Sequence, residues 1–355
     1  MWNRIGDVPN YIEPFAGSLA VLLDRPHWDA DAGGWAESSV NRAECVNDLD
    51  GTVTNFWRAV KHDPERTASW SDNTVHELEL HARHLWLHRR LKSTDGLNAD
   101  ALAYSADKGV LPFAAWLTTS PDAYDCQVAG WWAWGLSSWI GDNWCRPWKQ
   151  QSLPHLGNAG RGVNRKRPHL GNAGRGVNRQ LPHLGSARGV NRQLPHLGSA
   201  GRGECARRRA NLIAWFQRLA DRLRGVDVCC GDWERICNPS VTRRGTPCGV
   251  FIDPPYSQDA GLDTVYLEHD PGVSSRVRQW CIERGADTDL RIALCGYDTE
   301  HSTLAQHGWT VTAWKASGGY GNQGDNTRGK DNAHRERIWW SHGCIPEAQT
   351  KTLWD

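Results

Sequence analysis

Gly249-Val250-Phe251-Ile252-Asp253-Pro254-Pro255-Tyr256 decides the fold of this chain. The apolar run Gly249–Ile252 reads as a strand buried on both faces, the pattern of a parallel sheet. A carboxylate and a tyrosine stand where that strand ends. In open α/β sheets this carboxyl end is where ligands bind. The two prolines fix φ and restrict the residue before them, so the turn is stiff. The outcome is a ledge with an acceptor carboxylate, backbone carbonyls outside the ladder and a flat ring. Such a ledge suits a planar ligand bearing an exocyclic amine, which the carbonyls bond and the ring stacks. The alternative is an ordinary strand end with a structural tyrosine.

Two segments earlier in the chain carry the same kind of pattern. Tyr11-Ile12-Glu13-Pro14-Phe15-Ala16-Gly17-Ser18-Leu19-Ala20-Val21-Leu22-Leu23 is a short strand, a turn of small residues and an apolar helix start. Ala16 and Gly17 let the backbone approach a ligand, and Ser18 is placed to cap the helix. Glu44-Cys45-Val46-Asn47-Asp48-Leu49-Asp50 is a second strand ending in acids. An acid at that position commonly binds ribose hydroxyls in doubly wound folds.

Together these motifs resemble the Dam-like family of N6-adenine DNA methyltransferases. Glu13, Pro14, Phe15, Ala16 and Gly17 are similar to that family's S-adenosylmethionine loop. Asp253, Pro254, Pro255 and Tyr256 are similar to its catalytic motif. Val46–Asp50 with Asn55-Phe56-Trp57 resembles its second-strand motif, which makes Asp48 the ribose ligand. Val228-Cys229-Cys230-Gly231-Asp232-Trp233 resembles the strand whose acid, here Asp232 beside Trp233, meets the adenine of the cofactor. Arg335-Glu336-Arg337-Ile338-Trp339-Trp340 resembles the last strand. The resemblance spans residues 11–60 and 225–345 and implies a doubly wound, mostly parallel α/β sheet with an insertion. It also implies double-stranded DNA as partner. One departure stands out. The family's Gly-Gly-Lys segment upstream of the loop has no counterpart in Met1–Asn10, where Gly6 is the single glycine. By the same resemblance, either another segment holds the methionine end of the cofactor or the cofactor binds weakly. N4-cytosine or RNA adenine methylation remains a rival, since the ledge recognises an amine. A non-catalytic DNA-binding relative is another.

Composition sets outer limits. At 355 residues the chain holds one large domain or two. It has no run of 18 apolar residues and no basic-then-apolar leader, so neither a membrane span nor export is expected. Eleven scattered cysteines without a C-x-x-C pair fit a reduced, cytoplasmic protein without a zinc site. Twenty-one tryptophans, with a dense run from Trp131 to Trp148, suit a core before they suit base stacking.

The net charge of +1 conceals a basic block. Residues 151–209 hold 12 Arg and Lys against one acid, Glu204, which leaves −10 on the remainder. This block is an internal repeat. Leu153-Pro154-His155-Leu156-Gly157-Asn158-Ala159-Gly160-Arg161-Gly162-Val163-Asn164-Arg165-Lys166 recurs from Arg167, from Leu181 with one residue deleted, and in part from Leu194. Gly, Pro and Asn at this density oppose helix. The units are loops or short hairpins, read either as an idle duplicated linker or as a clamp on phosphates through Arg161, Arg165, Arg175, Arg179, Arg188 and Arg192.

The organisation that follows is a discontinuous catalytic unit, 1–61 and 225–345. Between its halves come a helical tryptophan-rich insertion (62–150), the repeats (151–204) and a returning helix (205–224), with a tail at 346–355. In the insertion, Ser71 or Asn73 is placed to cap a helix with the stripe Val75-Leu78-Leu80-Leu85-Leu87-Leu91. Glu77, His81, His84 and His88 share a face of it, expected to be solvated or near phosphate, with a metal site as the lesser alternative. Two further helices are expected at 128–140 and 206–224, the latter with Leu212-Ile213-Phe216-Leu219-Leu223 as its core stripe. Leu290–Tyr297 reads as a buried strand and Trp309–Trp314 as an exposed-face or edge strand, followed by a glycine-rich loop at Gly318–Gly324 that closes over a base or simply joins two strands.

Overall fold

The computed structural model describes residues 1–29, 33–35, 42–139, 144–145, 203–255, 272–313 and 335–347. Tyr256, the basic repeats with their six arginines, and the Gly318–Gly324 loop lie outside the described residues.

The chain forms a mixed α/β fold around a mostly parallel seven-stranded sheet. Strand β1 is Asn10–Glu13, β4 Ala43–Asp48, β5 Val226–Cys230, β6 Cys248–Ile252, β7 Leu290–Tyr297, β8 Thr310–Ala313 and β9 Glu336–Trp340. Their order across the sheet is β5-β4-β1-β6-β7-β9-β8. The first five run parallel, and β9 pairs antiparallel with both β7 and β8. A two-residue pair, β2 (Trp28–Asp29) and β3 (Gly34–Trp35), stands apart.

Side chains alternate between two cores, as the period of a strand requires. Tyr11, Val46, Ala293 and Ile338 face one; Ile12, Cys45, Ile292 and Trp339 face the other. Helices α3 (Gly51–His62) and α9 (Gly203–Leu223) cover the first face with Trp57, Val60, Phe216 and Leu223. Helix α11 (Val273–Arg284) covers the second with Val277 and Cys281. Both faces are covered, so the polar side chains that the central strands carry, Asn10, Glu13, Glu44 and Asn47, are buried with the apolar ones. Edge strand β8 is largely exposed.

The helical insertion packs on α3. It comprises helices α4 (Pro64–Ser71), α5 (Glu77–Lys92), α6 (Ala99–Lys108), α7 (Pro112–Thr119) and α8 (Cys126–Ser138), of which α5, α7 and α8, with Trp144, build a separate core of Leu80, Leu87, Phe113, Leu117, Trp134 and Trp144. Buried Asn55 of α3 fastens α8. Its Oδ1 accepts the Asp125 N–H at 2.7 Å, and its Nδ2 donates to the Asp125 carbonyl at 2.9 Å. Buried Arg58 donates to the carbonyls of Val228, Leu117, Ser120 and Ala123, which ties β5 to the α7–α8 turn. On the other side, Glu44 of β4 binds Arg25 and, through both oxygens, Arg222 at the end of α9. Arg222 also donates to the Leu22 carbonyl at 2.9 Å. Buried ions persist only when paired this fully.

The structure alters three local expectations in the insertion. His76, not Ser71 or Asn73, occupies the N-cap of α5, without a side-chain bond. Val75, Leu78 and Leu85 are exposed, and the buried stripe is Leu80-His84-Leu87-Leu91. The histidine face is therefore not solvated as a whole. His84 is buried and stacks on Trp139 with ring centroids 4.9 Å apart. Burial, reinforced by His88 and His81, pushes its pKa down to about 4. The tryptophan run supplied the apolar partner that overrode the leucine pattern. Likewise, α2 (Ala20–Leu23) begins at Leu19 in the left-handed region with no side-chain cap, so Ser18 does not play that part.

Candidate functional site

The chain leaves β1 toward β4 on one side, while β6 lies on its other side. Connections that diverge in this way open a crevice at the carboxyl ends of the two strands. The Glu13–Gly17 turn follows β1, and Asp253-Pro254-Pro255 follows β6. Glu13–Gly17, Asp253 and Pro255 line a single cleft of about 480 Å³, within the range of small-ligand sites.

The turn is held from below. Ala16 N–H donates to the Asn47 carbonyl at 2.8 Å, and the Trp57 indole N–H to the Gly17 carbonyl at 2.9 Å. Gly17 adopts φ +47, and a Cβ placed there would meet no atom within 4 Å. Its backbone is open to a ligand on that side. Asp48 accepts the Gly17 N–H at 3.0 Å through Oδ2 and the Asp50 N–H at 2.9 Å through Oδ1. The acid that the sequence offered as a ribose ligand thus also braces the turn. Burial, with the Asp50 carboxylate beside it, pushes its pKa up to about 7. Glu13 is buried beneath the cleft, and the Tyr11 hydroxyl donates to it at 2.8 Å. Burial outweighs that bond and raises the Glu13 carboxyl to about 8.

One end of the cleft follows β5. Gly231, at φ +133, donates its N–H to the Asp48 carbonyl at 3.1 Å. Asn47 Nδ2 spans the floor, donating to the carbonyls of Pro14 at 3.2 Å and Gly231 at 2.8 Å. Asp232 opens the 3₁₀ turn Trp233–Arg235 by accepting the Glu234 N–H at 2.9 Å. Arg276 of α11 reaches Asp232 at 3.1 Å and Glu234 at 2.6 Å. Buried Trp233 stacks on Phe15 at 6.2 Å between centroids. The other end lies between β6 and β9. Asp253 is exposed there, Pro254 is buried and Pro255 half-buried. Asp253 and Glu336 both press on the Cys295 thiol, whose pKa burial has already raised far above its usual value.

Every described residue assigned from sequence to the cofactor loop, the ribose acid, the adenine acid or the ledge lines this cleft, except Pro254, which is buried and not part of the lining. Tyr256 and the repeat arginines fall outside the described residues. Asn47, Arg276, Glu336 and Arg337 also line the cleft and were not singled out. Asn47 lies inside the second-strand motif and so was within reach of the sequence. Arg276 has no motif, and only packing of α11 brings it to Asp232. Among the described lining residues, seven carboxyl side chains face two guanidinium groups; Glu13 holds its proton at neutral pH and Asp232 is paired with Arg276, and an acidic surplus remains. Such a lining suits a ligand carrying positive charge and opposes a phosphate chain. Helix α2, four residues long and uncapped, also offers little to an anion. Among the described residues no group of His, Cys, Asp and Glu is arranged to hold a metal, and no helix is long and apolar enough to cross a membrane. The ten described cysteines are free thiols.

No protein-family model matches the chain, and no curated protein matches it at a significant level.

Proposed function

We propose that this protein is an S-adenosylmethionine-dependent N6-adenine DNA methyltransferase. The observation that carries this reading is convergence. Four motifs far apart in sequence meet at one switch-point cleft, through Glu13–Gly17, Asp48, Asp232-Trp233, and Asp253 with Pro255.

The residues fit the cofactor. The open backbone at Gly17 admits a close approach. The acidic lining suits a sulfonium cation. On this reading Asp48 binds ribose hydroxyls and Asp232 the adenine amine. When bound, S-adenosylmethionine supplies an electrophilic methyl group. The protein's own task is mainly to position and polarise. Asp253 and the Pro254 carbonyl accept hydrogen bonds from the exocyclic amine of a flipped adenine. Those bonds favour a tetrahedral nitrogen whose lone pair points at the methyl. Tyr256, next in the chain, stacks on the base. Flipping costs a few kcal/mol, and stacking and backbone contacts offset it. The basic repeats supply phosphate contacts, and the helical insertion between β4 and β5 belongs to target recognition. The protein acts on double-stranded DNA in the cytoplasm.

The test is incubation of the protein with plasmid DNA and methyl-labelled cofactor, followed by mass spectrometry of the nucleosides. N6-methyladenine is the expected product. N4-methylcytosine would move the reading to the cytosine enzymes. Cofactor binding without any methylated nucleoside in DNA or RNA would overturn the catalytic assignment, and absence of cofactor binding would leave a DNA-binding relative.

A further inference from the structure

We propose that Cys45 and Cys229 form a reversible oxidation site, at which a hydroperoxide joins the two thiols as a disulfide and thereby disturbs the floor of the cleft. The oxidation stands apart from the methyltransferase reading, and its effect on cofactor binding rests on that reading.

Strand β5 is an edge of the sheet, and β4 is its neighbour. In their parallel register Cys45 stands opposite Asp227, and Cys229 opposite Asn47. The two cysteines are thus diagonal neighbours, and their Sγ atoms lie 3.8 Å apart. Nine of the ten described cysteines are buried, and Cys229 is half-buried. The next residue, Cys230, faces the other side of the sheet, where its Sγ donates to the Ala114 carbonyl at 3.8 Å. Donation from the Cys45 thiol, with the Arg58 and Arg235 guanidiniums nearby, brings the Cys229 pKa down to about 7 against burial and the Asp227 carboxylate. At neutral pH part of Cys229 is then thiolate, the form that attacks a peroxide. The same bond, together with burial, raises the Cys45 thiol, which keeps its proton.

The chemistry balances in two steps. The Cys229 thiolate attacks the outer oxygen of the hydroperoxide. An S–O bond forms, the O–O bond breaks, and the departing oxygen takes a proton to leave as an alcohol, or as water from hydrogen peroxide. The Cys45 sulfur then attacks the sulfenic sulfur. The S–S bond forms, the S–O bond breaks, and hydroxide leaves with the Cys45 proton as water. Two electrons pass from the thiol pair to the peroxide. A dithiol reductant reverses the bond by exchange.

Closing the gap between the sulfurs draws β5 along β4, because an edge strand is held on one side only. Two residues beyond Cys229, the Gly231 N–H bonds the Asp48 carbonyl, and the Gly231 carbonyl accepts from Asn47 Nδ2 at 2.8 Å. These bonds across the cleft floor shift with β5.

The reduced, full-length protein is treated with hydrogen peroxide, remaining thiols are alkylated, and the digest is mapped by mass spectrometry. The expected product is a peptide pair joined through Cys45 and Cys229, separated again by dithiothreitol. In Cys45→Ala a dimedone probe should capture a sulfenic acid on Cys229. If that variant does not fold, Cys229→Ser decides, with no joined pair expected. Joining of Cys229 to Cys205 or Cys230, a lasting sulfenic or sulfinic acid on Cys229 in the wild type, or no oxidation of Cys229 overturns the oxidation site. Calorimetry with S-adenosylhomocysteine then reads the cleft. Oxidation should weaken binding to the wild type by at least about fivefold, the lower end of coupling between two sites, and leave binding to Cys229→Ser unchanged. A mapped disulfide with unchanged affinity overturns the link to the cleft. Failure of the reduced wild type to bind the probe would instead overturn the cofactor reading, while the peptide map still decides the disulfide.

Discussion

At the scale of single residues, Asp253 and Glu13 make contrasting carboxylates. Asp253 is exposed at the end of β6, and the proposed mechanism has it meet an amine. Asp253→Ala should lower methyl transfer by several orders of magnitude while cofactor affinity stays near the wild-type value, because charge-assisted bonds that strengthen toward the transition state are lost. Single-turnover assays alongside calorimetry check this, and substantial residual turnover would remove Asp253 from the chemistry. Glu13 is buried, and its carboxyl is raised from 4.5 to about 8. Between those values the native state holds a proton that the unfolded chain has lost. The contribution of Glu13 to stability is therefore greatest below about pH 4.5 and is lost as pH rises to about 8. Glu13→Gln cannot ionise. Its thermal midpoint should gain steadily on the wild type from pH 5 to 8 and then keep a constant lead. Parallel midpoint curves across that range would show that Glu13 does not titrate in the folded protein.

At the scale of elements, the insertion depends on close helix approach. Gly130 of α8 faces α4, and a Cβ there would lie 2.3 Å from Trp70 Cβ and 2.8 Å from the Thr67 carbonyl oxygen. In an exposed helix, Gly→Ala gains up to about 1 kcal/mol of propensity. Here the obstructing atoms are backbone or sit next to it, so overpacking at about 1–3 kcal/mol prevails. Gly130→Ala should lower the urea midpoint without changing the slope of the transition, and a rise in midpoint would mean that the two helices are not in contact. The same packing explains why Val75, Leu78 and Leu85 were misread as part of the α5 stripe, whose Leu80, Leu87 and Leu91 are buried as expected. Leucine spacing alone favours Val75, Leu78 and Leu85, but the Trp139 and Trp144 rings come from beyond α8 and bury His84 instead.

At the scale of the whole molecule, an acidic body carries a basic repeat block between α8 and β5. Excision of residues 167–193 removes five arginines and no acid. If these neutralise phosphates, each contact contributes roughly 0.9 to the slope of log affinity against log salt. The deletion should weaken DNA binding and flatten that slope, with sequence preference and cofactor affinity kept. Fluorescence anisotropy across a salt series reads both quantities. An unchanged slope would identify the repeats as an idle linker, and a lost preference would place them in the recognition surface.

Much of the fold was legible because strands β1, β4, β6 and β7 are short apolar runs closed by Pro, Gly or acids, and these local signals survive in any context. The edge character of β8 and the stripe of α9 were legible for the same reason. The sequence by itself also pointed to segments that line the cleft, since Glu13–Gly17 and Asp253–Pro255 declare themselves by residue type and order. It could not place Arg276 against Asp232, nor Asn47 across the floor between Pro14 and Gly231, because these contacts join segments that meet only when the sheet closes. Nor could it show that Asp48 braces the Gly17 turn, or that Glu13 holds its proton. Those are consequences of burial, and only tertiary structure decides which carboxylates lose their water.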